Sequence, residues 1–303
     1  MFRRQSARRG RITDMASGGP ETATSVAGLR QQVGAWRRQS KSVGLVPTMG
    51  ALHDGHSALV KRSMEQCDRT VVSIFVNPKQ FAPHEDFATY PRNEAADLAR
   101  LGALGADLVY MPGGTEMYGG DFATTVSVAR LTEGLCSVTR PHFFQGVATV
   151  VTKLLLQCLP DYAYFGEKDY QQLQVVRRLA RDLDIPTTIV GVPTVREPDG
   201  LALSSRNAYL TPAERAAAPA LNRVLRQIAE KLGAGAEARE AAAWGRAQLA
   251  EAGFGPIDYV EVRDADTLAP IGATLPPGAR ARVLAAAFLG RTRLIDNVAA
   301  GAD

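Results

Sequence analysis

Apolar positions along the chain fall into two patterns that alternate. Short runs rich in β-branched and aromatic residues occur at Val43 to Val46, Thr70 to Val76, Asp107 to Met111, Tyr162 to Phe165 and Thr187 to Val192. Such nearly unbroken runs predict strands buried on both faces of a parallel sheet. Between them, apolar residues recur at helical spacing. They stand at Val26, Leu29 and Val33 behind a Thr24-Ser25 cap, at Ala58, Leu59 and Met64, and at Ala96, Leu98, Leu101 and Leu104. The pattern continues through the strongly apolar Val147 to Cys158 and at Leu173, Val176, Leu179 and Ala180. Strands alternating with helices predict an α/β, Rossmann-like parallel sheet. Pro47, with no N–H to donate, is expected to end the first strand. Thr124 to Val128 alternates and predicts a further strand near an edge, and Asp86 to Arg92 reads as an exposed polar connection.

From Thr211-Pro212, an N-cap followed by a first-turn proline, the composition changes. Ala-rich helices are predicted over Ala213 to Leu232 and Ala236 to Ala252, then strands at Ile257 to Val262, Arg282 to Leu289 and Thr292 to Asn297. This predicts a smaller α+β C-terminal domain. The expected division is a disordered arm over 1–22, a Rossmann-like domain over 23–194 and a C-terminal lid over 195–303, with no internal repeat.

The junctions between strands and helices carry the chemistry. The stretch Val46 to His56 joins a strand to a helix through two glycines, Gly50 and Gly55, and holds two of the chain's four histidines, His53 and His56. A helix N-terminus offers unpaired N–H groups and the positive end of the helix dipole, which suits an anion. Zinc would want histidines at i, i+4 with an intervening Glu, and neither is present. After the second strand, Asn77-Pro78-Lys79-Gln80-Phe81 stands at the sheet edge where open α/β folds place ligands, although Asn-Pro also initiates ordinary turns. Arg140 and His142 precede the buried helix, either as anion-directed groups or as a solvated lead-in. Gly166-Glu167-Lys168-Asp169 follows the fourth strand, and its lysine can meet a polyphosphate as a point charge. Leu203-Ser204-Ser205-Arg206-Asn207 supplies hydroxyls and a guanidinium fork, and would also serve as a plain linker.

Composition narrows the choices. The first twenty residues hold five arginines and one acid with no apolar core, which excludes a secretory signal and points to a disordered arm or a true start at Met15. Without them the chain carries 30 basic and 30 acidic residues, which argues against a broad nucleic-acid footprint. No apolar run is long enough to cross a bilayer. Cys67, Cys136 and Cys158 are widely spaced and odd in number, as expected of small buried residues in a reducing cytoplasm.

Taken together, the residues at 47–56 (PTMGALHDGH), 73–81 (SIFVNPKQF), 90–92 (YPR), 165–173 (FGEKDYQQL) and 203–207 (LSSRN) resemble the pantothenate synthetase (pantoate–β-alanine ligase) family, from about residue 40 onward. That family belongs to the nucleotidyltransferase superfamily related to class I aminoacyl-tRNA synthetases. The resemblance implies ATP and Mg²⁺, (R)-pantoate and β-alanine as substrates, a pantoyl-adenylate intermediate, a cytoplasmic homodimer, and neither nucleic acid nor membrane as partner. It implies a first ATP loop at Met49, Gly50, His53, Gly55 and His56, with His56 as proton donor, and a second at Gly166, Glu167, Lys168 and Asp169. A third comprises Val195, Leu203, Ser204, Ser205 and Arg206. His53, His56, Lys168 and Arg206 take the catalytic roles, and Gln80 and Gln172 hold pantoate beside Pro47, Thr48 and Met49. The magnesium ligands stay unassigned. Leu203 departs from the family's usual Met, a volume-conserving change, and Gln145 stands at a variable position. The alternatives are another nucleotidyltransferase that stops at diphosphate release and, in a different class, an RNA-binding relative.

Overall fold

The computed structural model describes residues 19–81 and 87–301. The arm expected over 1–22 therefore lies outside the described residues as far as Gly18. Its last residues already form structure, because Glu21–Ala23 (β1) pairs in parallel with Leu108–Tyr110 (β4).

Six parallel strands form the main sheet. In addition to β1 and β4 these are Val43–Thr48 (β2), Arg69–Ile74 (β3), Tyr162–Gly166 (β5) and Thr188–Val192 (β6), in the order β1-β4-β3-β2-β5-β6. Successive side chains on a strand point to opposite faces, and the two faces bury different sets. Val43, Leu45 and Val71 meet Val26–Arg38 (α1), Phe143–Cys158 (α6) and Tyr170–Asp182 (α7), whereas Val46, Val72 and Val109 meet Asp54–Gln66 (α2) and Glu94–Leu104 (α3). The expected doubly covered parallel sheet is present.

Three expectations for this part of the chain change. Pro47 does not end its strand: it pairs in register with Ser73 inside β2. Thr48 uses its carbonyl to accept from Phe75 on the β3 side, so the alternation of the strand turns Pro47 toward β5. There the ladder has already stopped, since β2 pairs β5 only at Gly44 and Leu45, and the missing N–H has no partner to lose. Thr124 to Val128 is not a strand. β1 occupies the sheet edge beside β4, and the backbone N–H of Val126 is satisfied by the Thr149 hydroxyl of α6 at 3.1 Å instead. On α3, Ala96 is exposed and Asp97 faces inward.

Two short helices, Gly114–Met117 (α4) and Cys136–Thr139 (α5), punctuate the connection from β4 to α6. Beyond β6, the helix expected over Ala213 to Leu232 is two: Pro212–Ala217 (α8) and Ala220–Gly233 (α9). Pro219 interrupts it, since its ring and missing N–H are incompatible with a helix interior. These helices and Ala238–Glu251 (α10) pack on an antiparallel sheet of Ile257–Asp264 (β7), Arg280–Leu289 (β8) and Thr292–Gly301 (β9). Among the described residues no helix is long and apolar enough to cross a membrane.

Candidate active site

The strand order reverses between β2 and β5, and the two strands part beyond Leu45 while β2 stays paired to β3 as far as Thr48. A crevice at such a switch point, outside the C-terminal strand ends, is where open parallel sheets bind ligands. Here it opens into a cleft of about 750 Å³ whose far wall is the C-terminal sheet.

The first turn is built largely from its own residues. Gly50 takes the left-handed conformation, φ +82°, and Ala51 follows at +50°. Asp97, 4% exposed, receives the Ala51 and Leu52 N–H groups on its two oxygens at 2.9 and 2.8 Å. His53 is the N-cap of α2, with its Nδ1 accepting from Gly55 N–H at 3.1 Å, while His56 Nδ1 accepts from His53 N–H at 3.3 Å. This is a capping box made of two imidazoles rather than Ser and Glu. It needs Gly55, because a Cβ there would come within 2.8 Å of the His53 ring. With both Nδ1 atoms accepting, each neutral ring carries its proton on Nε2.

Burial, then the charges of Lys168 and Arg100, push the His53 pKa down to about 4. His56 falls to about 3, mainly by burial, then by the neighbouring His53, Lys168 and Arg100. At neutral pH the rings are therefore uncharged N–H donors 4.2 Å apart.

Gln80 sits at 9% exposure at the end of the 3-10 turn Pro78–Gln80. Its Oε1 accepts from Asn77 Nδ2 at 2.9 Å, which leaves the Nε2 donor for a ligand. The turn lies directly on α6 at Gly146, where a Cβ would stand 2.1 Å from the Lys79 carbonyl. Arg140 reaches the cleft and donates to the Gln80 carbonyl at 3.0 Å, whereas His142 and Gln145 are exposed away from it. The two readings of that lead-in thus divide between its residues.

On the opposite side, Lys168 lies 3.7 Å from Asp169. Gln172 lines the cleft, while Gln171 is consumed in structure, bonding Leu131, Gly134 and the Cys136 N–H. The third segment folds back on itself, with Leu203 N–H donating to the Val195 carbonyl at 3.0 Å and Ser204 capping Arg206. Tyr90, expected in an exposed connection, is buried, with its hydroxyl 3.5 Å from Ser205 and its ring 6.0 Å from the Arg206 guanidinium.

Every residue expected in a catalytic, ATP or substrate role lines this one cleft except Gly50 and Glu167, while Asn77, Lys79, His142 and Gln145 stand outside its lining. Gly50 acts behind it, as the bend held by Asp97. Glu167 turns the other way and pairs with Arg282 at 3.1 Å. Pro47, Thr48 and Met49 form part of the wall, although the Thr48 hydroxyl is spent on the Ser73 carbonyl.

The residues that sequence reasoning passed over are of two kinds. Asp97 is an acid on the inward stripe of a helix, a signal that was available. Asp258, Tyr259, Arg293, Asp296 and Asn297 come from the C-terminal sheet, where no motif marks them. Cys67 and Cys158 are core residues whose thiols burial pushes up, Cys158 to about 12. Cys136 also lines the cleft, its Sγ 3.1 Å from the Tyr259 hydroxyl.

Comparison with known proteins fits this geometry. The family model for pantoate-β-alanine ligase matches residues 21–299. A pantothenate synthetase of Paramagnetospirillum magneticum is 61% identical over 274 residues, covering 90% of this chain and 95% of that protein. One from Caulobacter vibrioides is 53% identical, covering 93% and 99%. The crystal structure of the Thermus thermophilus pantothenate synthetase aligns with a TM-score of 0.84 at 48% identity, covering 92% of this chain and 98% of that one. That of the Francisella tularensis pantoate-β-alanine ligase, complexed with β-γ ATP and β-alanine, aligns at 0.77 and 32% identity, covering 92% and 97%.

Proposed function

The chain belongs to the pantoate–β-alanine ligase family, and from that premise we propose how its cleft performs the reaction. It is an ATP-dependent ligase that joins pantoate to β-alanine through an amide bond, giving pantothenate, AMP and diphosphate. A carboxylate is a poor electrophile toward an amine. In our reading a pantoate carboxylate oxygen attacks the α-phosphorus of ATP, the α–β phosphoanhydride bond breaks and diphosphate leaves. The β-alanine nitrogen then attacks the acyl carbon of the pantoyl adenylate, AMP departs, and the amine loses a proton.

The observation that carries this reading is the convergence of three phosphate-competent segments and Gln80 and Gln172 on one crevice at the strand-order reversal. Negative charge grows on the phosphoryl oxygens and the leaving diphosphate. Lys168 and Arg206 meet it as fixed cations, and His53 and His56 as preorganised Nε2–H donors. Because both imidazoles are held neutral, His56 acts first by hydrogen bonding; full proton donation requires the polyphosphate's own charge to raise its pKa. Gln80 and Gln172 orient pantoate through uncharged amides, which leave the attacking carboxylate its nucleophilicity.

Magnesium enters with ATP. Among the described residues no three His, Cys, Asp or Glu gather as a metal site, and Mg²⁺ on phosphates needs only one or two carboxylates. Asp258 and Asp296 on the cleft wall are held by 2.7 Å bonds to Arg293 and Arg196, whereas Asp169 has only the longer 3.7 Å contact with Lys168 and is more exposed, so it is the acid suited to the ion. When bound, the metal would neutralise phosphate charge. The family likeness also supports a homodimer, checked by sedimentation, and three buried free cysteines accord with a reducing cytoplasm.

Exchange of labelled diphosphate into ATP tests the mechanism. The adenylate route requires exchange that depends on pantoate and proceeds without β-alanine. Exchange that waits for β-alanine would remove the intermediate.

A further inference from the structure

The second and third ATP segments leave the paired strands β5 and β6 at the end of their ladder, Gly166 beside Val192, and beyond that end the sheet no longer sets their separation, which determines where a triphosphate fits. Two adjacent residues on β9 hold one segment each. Asn297, 2% exposed, donates from Nδ2 to the carbonyls of Glu167 and Lys168, both at 2.9 Å. Its Oδ1 accepts from Arg282 Nε at 2.6 Å, and Arg282 stacks 4.2 Å over the Tyr170 ring that continues the second segment. Asp296, 3% exposed, takes Arg196 on both oxygens at 2.7 and 2.9 Å, with Asn222 Nδ2 at 3.1 Å. Arg196 immediately follows Val195, donates to the Gly200 carbonyl and bridges to Ala202, so it is the rib of the loop that ends in Leu203 to Arg206. The backbone N–H of Asn297 closes the unit by donating to Asp296 Oδ1 at 2.7 Å.

We propose that Asp296 and Asn297 are positioning residues, a clasp in the C-terminal sheet that fixes Lys168 relative to Ser204–Arg206 and thereby sets the grip on the triphosphate. The inference rests on the reading of those two segments as ATP contacts. Three physical points support it. Neighbouring residues of an extended strand point in opposite directions, so one dipeptide can hold two segments apart. A trans peptide opposes its N–H to its C=O, so pinning the Glu167 and Lys168 carbonyls to β9 turns the N–H groups of Lys168 and Asp169 away from it. A buried carboxylate with bidentate arginine, and a buried amide with every polar atom used, hold their geometry because each lost bond leaves an unpaired buried group.

The test compares Asn297→Ala and the isosteric Asn297→Asp with Lys168→Ala. The readouts are the affinity for a non-hydrolysable ATP analogue, the KM for pantoate and for β-alanine at saturating ATP, and the thermal midpoint. The clasp requires Asn297→Ala to weaken the analogue about tenfold, the effect of one net hydrogen bond. Both KM values should stay within about twofold. Asn297→Asp should weaken it further, because a carboxylate would face two carbonyl oxygens. If Lys168→Ala loses the analogue and both Asn297 variants keep it, the clasp is wrong and the site stands. If all three keep it, the ATP assignment itself fails and takes the clasp with it. A parallel rise in the pantoate KM and fall in the thermal midpoint would make Asn297 an ordinary packing residue and overturn the proposal.

Discussion

The two sides of the cleft are assembled in opposite ways. The histidine turn is held by bonds that span two to four residues: Gly55 to His53, His53 to His56, Ser57 to His53. From elsewhere it takes two residues of α3, Asp97 on the Ala51 and Leu52 N–H groups and Arg100 on Asp54 and Ser57. The lysine and arginine segments facing it depend on partners 100 to 130 residues away on β9. A turn held locally is formed as soon as its helix forms. Segments held remotely acquire their spacing only when the C-terminal sheet has docked, so that sheet is structural to the site as well as its cover.

This contrast can be broken or sharpened in four ways. The largest effect is expected at His56→Ala, which removes one donor to the developing charge and half of the capping box. Turnover should fall by about 10²- to 10³-fold, read as the rate of diphosphate exchange; an unchanged rate would leave the histidine turn a scaffold only. Next, Asp97→Ala leaves the Ala51 and Leu52 N–H groups without their acceptor. Orphaned buried donors cost on the order of 1–3 kcal/mol, so the KM for ATP should rise roughly ten- to a hundredfold. If it does not, the turn is wholly self-supporting.

The third effect is on stability against pH. His53 and His56 have folded pKa values of about 4 and about 3, below the ordinary 6.5. As pH drops beneath 6.5 the unfolded chain takes up these protons and the folded one does not. The stability the neutral rings contribute is therefore complete above that value and is lost as pH falls toward 4 and then 3. The thermal midpoint of the unliganded protein should decline across this range, and less steeply in His56→Ala. An equally steep decline in that variant would assign the acid sensitivity to other groups. The smallest effect is expected for Leu203→Met, a volume-conserving exchange costing under about 1.5 kcal/mol, checked by a thermal midpoint and an ATP KM near those of the unaltered chain.

Much of this was legible in the residue order. Uninterrupted β-branched runs announce strands buried on two faces, and glycine beside histidine at a helix start announces an anion site, because both signals arise from backbone conformation within a few residues. The misreadings share a cause. Pro47 continues its strand because the neighbouring ladder has already parted, and Thr124 to Val128 fails as a strand because β1 holds the edge. Both depend on which element stands alongside.

The chain's residues therefore determined by themselves the fold class, the histidine turn and the cationic and hydroxyl groups of the three segments proposed to hold ATP, all of which follow from local periodicity, capping and charge. Tertiary structure alone decided that Glu167 turns out of the cleft, that Tyr90 turns in, and that Asp296 and Asn297 face the second and third segments. Those outcomes depend on hydrogen bonds closed between distant segments, and no local pattern records where a buried polar group will find its partner.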